Sequence, residues 1–243
     1  MPGPRDIAAL LLARRTRGAP FVVAITGGVA AGKSVLAGEL GQAVAAWADG
    51  PSVEIVCTDG FLFDNATLEA KNLGMRKGFP ESYDVAGFRA ALGAVRRGPT
   101  RFPGYSHVTY DVDPALARSI EAPDVLIVEG LGLHVDHGAD AEGRRLIDVL
   151  IYLDADPALL EAWFTDRLIG LMLAARDDPT SFYARFLDLD DAGRLGFAKM
   201  VWERINLPNL TEHIAAARDL ADIVVHKTAD HVIAAIEERA ARH

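Results

Sequence analysis

The β-branched, apolar run "FVVAIT" over residues 21–26 leads without a break into "GGVAAGKS", from Gly27 to Ser34. The second stretch fits a phosphate-binding pattern: glycine, four free positions, then glycine, lysine and serine or threonine. That pattern works only where a strand delivers the chain to a tight turn and a helix carries it away, so it constrains the fold as well as the ligand. Gly27 and Gly32 admit backbone geometry that a side chain would block. Successive N–H groups across Gly27, Gly28, Val29, Ala30, Ala31 and Gly32 can therefore point at phosphates, and a helix starting near Lys33, with Ser34 and Val35 in its first turn, adds its positive end. On this reading Lys33 reaches the β and γ phosphates, Ser34 binds Mg²⁺, and the ligand is ATP or GTP.

The rest of the chain supports an α/β, doubly wound, mostly parallel sheet. Short apolar runs at 21–26, 53–59, 124–130, 148–154 and 222–227 read as strands covered on both faces. Between them, helical patterning is expected over Lys33 to about Trp47, Val85–Arg97, Pro157–Arg176, Asp190–Asn206 and Ala229–Ala241, with a further helix at the opening "IAALLLARR". With 243 residues and 50% hydrophobic composition, a single domain over 1–243 is expected, with a helical lid and acceptor-site insertions over approximately 60–115 and 160–190. Lys+Arg 25 against Asp+Glu 34 gives a net charge of −9 with no long basic stripe, which argues against nucleic acid as a partner. No apolar run approaches the ~20 residues needed to cross a membrane. The single cysteine, Cys57, cannot form an intrachain disulfide, and reads as a buried strand thiol in a cytoplasmic protein.

Two carboxylates are expected at the carboxyl edge of the sheet. "TDGF" places Asp59 just past the second strand, in the crevice of the phosphate loop, where it could take a proton from an attacking hydroxyl or help hold metal. Glu129, in "LIVEG", ends the third apolar run at an equivalent level, where it could orient Mg²⁺ through water or serve structure alone. Between these strands, "RKGFPESYD" (76–84) and "YSHVTYD" (105–111) lack helical spacing and read as ordered loops carrying polar groups. Tyr105, His107 and Tyr110 fall within six residues there, suited to holding a carboxylate or hydroxyl of an acceptor.

Taken in order and spacing, "GGVAAGKS", "TDGFL", "RKGFPESYD", "YSHVTYD", "PDVLIVEGL", "DPTSFY" and "WERINLPNL" resemble the bacterial type I pantothenate kinases, within the phosphoribulokinase and uridine kinase superfamily of P-loop kinases. The resemblance runs from about Phe21 to the C-terminus. It implies a P-loop kinase fold and ATP-dependent phosphorylation of the primary hydroxyl of pantothenate, the first committed step toward coenzyme A. It also implies Lys33 and Ser34 as phosphate and Mg²⁺ ligands, Asp59 as the base, and Tyr105 and His107 at the acceptor. Arg167, in "WFTDRL", matches an arginine that closes on the transferring phosphate, and Asn206 matches an asparagine that bonds the amide region of pantothenate. Family members are typically homodimers.

The sequence departs from that pattern in places. Where the family shows tyrosine and phenylalanines lining the acceptor's tail, this chain has Phe164, Leu168 and Leu171, with Phe182, Tyr183 and Phe186 following in an altered order. Gly38 stands where a basic residue tied to feedback by coenzyme A is expected, and the loop is reached after only 26 residues. "DNATLEA" and "DVAGF" resemble smaller kinase-like relatives. Two other functions therefore stay open: a kinase of the same fold acting on a nucleoside, sugar or sugar acid, and a nucleotide-binding regulator without turnover. Against the regulator stand the intact loop, Asp59 and Arg167, and the lack of an Asn-Lys-x-Asp guanine-recognition sequence.

Overall fold

The structure, a computed structural model, describes residues 1–16, 18–133 and 137–239. Among the described residues eight strands are present: β1 (Phe21–Gly27), β2 (Val53–Cys57), β3 (Thr100–Ser106), β4 (Asp111–Ile120), β5 (Val125–Glu129), β6 (Val149–Asp154), β7 (Ile223–Lys227) and β8 (Ile233–Glu238). The helices are α1 (Pro4–Arg14), α2 (Lys33–Ala45), α3 (Asn65–Ala70), α4 (Val85–Val95), α5 (Pro157–Ala174), α6 (Asp191–Val201), α7 (Leu207–Glu212) and α8 (Ala217–Leu220).

Six strands form one sheet in the order β2-β5-β1-β6-β7-β8, parallel throughout except for the antiparallel β7–β8 pair. Every residue of β1 and β5 is buried, as expected for central strands with helices on both faces. The chain leaves β1 toward β2 on one side and later adds β6 on the other, so the strand order reverses around β1. The crevice outside the carboxyl ends at such a switch point is the natural ligand site of an open α/β sheet.

Local chemistry explains several helix starts. Asp84, Asp156 and Asp190 cap α4, α5 and α6 by accepting from the N–H of Gly87, Ala158 and Gly193, and Pro157 opens α5 at a position where its missing N–H costs nothing. Helix α6 does not stop at Asn206. It passes through a π-helical segment, Trp202–Asn206, into α7, with Pro208 tolerated in the first turn. Among the described residues no helix is long and apolar enough to cross a membrane.

Two sequence expectations require correction. The helix expected over Ala229–Ala241 is instead the edge strand β8, with residues 240 and 241 outside the described part. Ile233 and Ile236 have the i,i+3 spacing of a helix face, but the register of β8 against β7 skips a residue, pairing Lys227 with Ile233 and His226 with Ala235. That bulge at Ala234 returns both isoleucines to one side of the strand, against the core. The second correction concerns "YSHVTYD", read as loop: Tyr105 lies on β3 and Asp111 begins β4 in a separate two-stranded sheet. Pro103, Gly104 and Pro114 hide the strand signal, and the register shift between Phe102 and Gly104 accommodates them.

Candidate active site

At the end of β1 the backbone turns under the side chain of Leu153, on β6. A Cβ on Gly27 would lie 2.5 Å from the Leu153 carbonyl oxygen, so only glycine fits. Gly32 caps α2 with a left-handed φ of 88°, and Ala30 also sits at a positive φ, 62°. Left-handed geometry at a residue with a Cβ costs energy, and here it lies in the middle of the turn between β1 and α2.

The Lys33 ammonium folds over this turn and donates to the Gly28 carbonyl at 2.9 Å and that of Gly27 at 3.3 Å. Burial lowers its pKa, while Glu129 and Asp59 pull the other way. Ser34 Oγ donates to Glu129 Oε1 at 2.9 Å. The sheet register makes that contact possible: Ile25, Glu129 and Cys57 stand at one level on β1, β5 and β2. Asp59 follows two residues after Cys57, in a 3₁₀ turn, Thr58–Phe61, and its N–H rests on the Cys57 sulfur at 3.4 Å. Burial raises the Asp59 pKa, helped by the Glu129 charge and opposed by His107, Lys33 and Lys77. Cys57 is half-buried on the cavity wall, with its thiol pKa pushed far up by burial, so it is a thiol at neutral pH.

A single cavity of about 930 Å³ extends from the phosphate loop past Asp59 into a helical cap. It brings together the expected Val29, Ala30, Gly32, Lys33, Ser34, Val35, Asp59, Glu129 and Arg167 with Tyr105, His107, Tyr110, Phe164, Tyr183, Phe186 and Asn206. Gly27, Gly28 and Ala31 lie behind its wall as the backbone of the turn. Arg167 projects from α5, exposed and without a hydrogen-bond or ion-pair partner among the described residues, with its charge close enough to Lys33 to lower the pKa of that ammonium. The cap is a second apolar cluster in which Leu168, Met172, Tyr183 and Ala198 pack with Phe164, Leu171, Phe182 and Phe186. It docks on the β3–β4 turn through a 4.7 Å ring contact between Tyr110 and Phe182 and a 2.7 Å bond from Phe182 N–H to the Val108 carbonyl.

Some cavity residues escape sequence reasoning at the level of single positions. Lys77 donates to Asn65 Oδ1 at 2.7 Å and to the Tyr110 carbonyl at 2.6 Å, with its ammonium 4.3 Å from the Tyr110 ring centre. Tyr110 itself is left-handed, φ 55°, and its carbonyl accepts from both Lys77 and Asn65. Near the phosphate loop, Lys227 donates to the Ala31 carbonyl at 3.3 Å, and Trp163 stacks on His231 with ring centres 3.9 Å apart. The signals in the sequence are the basic pair inside "RKGFPESYD" and, for Trp163, its place at the head of "WFTDRL"; Lys227 and His231 sit in no local pattern that marks them.

Residues 22–167 match the phosphoribulokinase / uridine kinase family. The chain belongs to that family. It is 39% identical over 222 residues to the pantothenate kinase of Brucella ovis, a match spanning 88% of this chain and 69% of that protein, and the pantothenate kinase of Brucella abortus gives the same figures. Among solved structures this kinase resembles a putative fructose transport system kinase from Silicibacter sp. TM1040, with a TM-score of 0.68 and 25% identity over 91% of this chain and 96% of that one. A D-glycerate 3-kinase from Cryptococcus neoformans shares the fold alone, with a TM-score of 0.64 and 12% identity over 97% and 99% of the two chains. Family membership makes the chain an ATP-dependent phosphotransferase with an alcohol acceptor, which removes the non-catalytic regulator from consideration.

Proposed function

We propose that this kinase phosphorylates pantothenate on its primary hydroxyl. The observation that carries the reading is the continuity of one cavity, from Lys33 past Asp59 to Tyr105, His107 and Asn206, in a chain 39% identical to pantothenate kinases. ATP lies with its phosphates on the loop and under Lys33. Ser34 and Glu129 would hold Mg²⁺. Ser34 Oγ and Glu129 Oε1, 2.9 Å apart, offer the one or two protein oxygens that suit an ion completing its shell with phosphates and water. When bound, Mg²⁺ supplies charge neutralisation on the phosphate oxygens.

The acceptor hydroxyl approaches Asp59. Burial and the Glu129 charge raise the pKa of this carboxylate and so strengthen it as a base, while His107, Lys33 and Lys77 oppose the rise. Lys33 and Arg167 face the charge that develops on the transferring phosphoryl group. Phe164, Tyr183 and Phe186 receive the acceptor's tail, and Asn206 its amide. We further propose that the kinase acts in the cytoplasm, as a homodimer, without a nucleic-acid or membrane partner.

A second reading, a nucleoside, sugar or sugar acid as acceptor, draws on the 25% identity to a putative fructose transport system kinase and on the departure of Phe164, Leu168 and Leu171 from the family's aromatic pattern. A coupled ADP-release assay with Mg·ATP decides between them. Turnover on pantothenate of at least about 1 s⁻¹, well above that on nucleosides, sugars and sugar acids, is expected. Silence on pantothenate with turnover of another alcohol would move the assignment to that acceptor.

A further inference from the structure

The loop that carries Lys77 is held at the very next residue, Gly78, from two directions. The Gly78 N–H donates to Ser82 Oγ at 2.9 Å, and the Gly78 carbonyl accepts from Asn209 Nδ2 at 2.8 Å. Both holders are buried, Ser82 completely and Asn209 to within 3%. Ser82 belongs to the same loop, whereas Asn209 comes from α7, 131 residues away.

The orientation of the Asn209 amide follows from its bond, because only the NH₂ can donate to a carbonyl. Its Oδ1 is left buried without a partner. An apolar residue of similar size would fill the space without stranding an acceptor, so packing alone does not account for asparagine here. What the side chain contributes is its one bond, to the carbonyl of Gly78, the residue that follows Lys77. Asn209 also lines the cavity, three residues beyond Asn206 along the path that leaves the π-helical segment. The far end of the Lys77 side chain is tied to Asn65 and to the Tyr110 carbonyl, so the backbone anchor at Gly78 and these two bonds together define where the ammonium sits relative to Asp59.

We propose that Asn209 is a positioning residue for phosphoryl transfer: by holding the Gly78 carbonyl it fixes the backbone from which Lys77 extends its charge into the cavity that Asp59 shares. The proposal rests on the kinase reading of the site and on the role given to Lys77, but not on which alcohol is the acceptor. A misplacement of the order of 1 Å in such a group is enough to cost roughly 100-fold in rate.

The test is a double-mutant cycle with Asn209→Leu and Lys77→Met, using steady-state kinetics with Mg·ATP and whichever alcohol the wild-type chain turns over best. Asn209→Leu is expected to lower kcat roughly 10–100-fold, with KM for ATP within about threefold. In the Lys77→Met background the same substitution should cost less than about twofold, because residues acting through one another are not additive. An equal loss in both backgrounds would overturn the proposal, as would an unchanged kcat in a folded Asn209→Leu chain. Asn209→Ser, which removes the amide with less disturbance to packing, gives the same reading should the leucine variant not fold. Failure of the wild-type chain on pantothenate alone removes only the acceptor assignment, whereas failure on every alcohol removes the kinase reading and this inference with it.

Discussion

Burial brings the Lys77 ammonium down to about 8, against the attraction of Asp111 and Asp59. In the free protein, the folded chain releases this proton before the unfolded chain does. Between about 8 and the ordinary lysine value of 10.5 the unfolded state binds more protons, so this group's contribution to stability rises with pH. Activity runs the other way. If the charge on Lys77 assists transfer, kcat falls as pH rises through about 8, and Lys77→Met removes that limb of the profile along with much of the rate; a limb unchanged in the variant would assign it to another group. Asp59→Asn should cost on the order of 10²–10⁴ in kcat, the span of a lost general base, while ADP affinity measured by calorimetry stays near wild type. Full turnover in the purified variant would end the base assignment. Ala30→Gly relieves a left-handed alanine, and after the added entropy of glycine a gain of up to about 1 kcal/mol is expected in thermal unfolding.

Elements are joined by a few buried polar ties as well as by the core. Arg96, just after α4, donates to Asp148 Oδ2 at 2.9 Å and to the Leu146 carbonyl at 3.1 Å, while the same carboxylate oxygen accepts from Val22 N–H at 2.7 Å. One ion pair thus fastens a helix end to the start of β6 and to β1. Arg96→Met leaves Asp148 in place without its cation and should cost on the order of 3 kcal/mol, a fall in Tm of roughly 6–12 °C for a chain of this size. A shift within 1–2 °C by calorimetry would mean that water replaces the arginine. The β7–β8 pair shows why element type was harder to read than element position. Its isoleucine spacing satisfies a helix, and only a bulge against β7 makes it a strand.

For the whole molecule, the proposed reaction requires that the loop, Asp59 and the cap meet in one cavity. Separated stretches of chain build the acceptor end: the loop of Lys77 and Gly78, the β3–β4 hairpin, α5 with the segment Phe182–Phe186, and the path from α6 to α7. The proposed homodimer predicts a light-scattering mass twice that of the chain, and a single-chain mass at micromolar concentration would remove it. Chelation of divalent metal should abolish turnover, with Mg²⁺ restoring it. Ser34→Ala should raise the Mg²⁺ needed for half-maximal rate by roughly 10-fold, an effect of about 1.4 kcal/mol; unchanged Mg²⁺ dependence would move the ion away from Ser34.

The sequence by itself determined the phosphate loop, the parallel sheet behind it and the positions of Lys33, Ser34, Asp59 and Glu129. These depend on local geometry: a strand, a turn of fixed length, and the residue just past a strand's end. The hairpin and β8 were not legible, because prolines, glycines and an i,i+3 apolar spacing point away from strands until a partner supplies the hydrogen bonds. Only the tertiary structure decided that Trp163 stacks on His231, that Lys227 reaches the loop, and that Asn209 holds Gly78 beside Lys77. Those contacts join residues far apart in the chain, and no periodicity or local spacing records a distance that the fold alone closes.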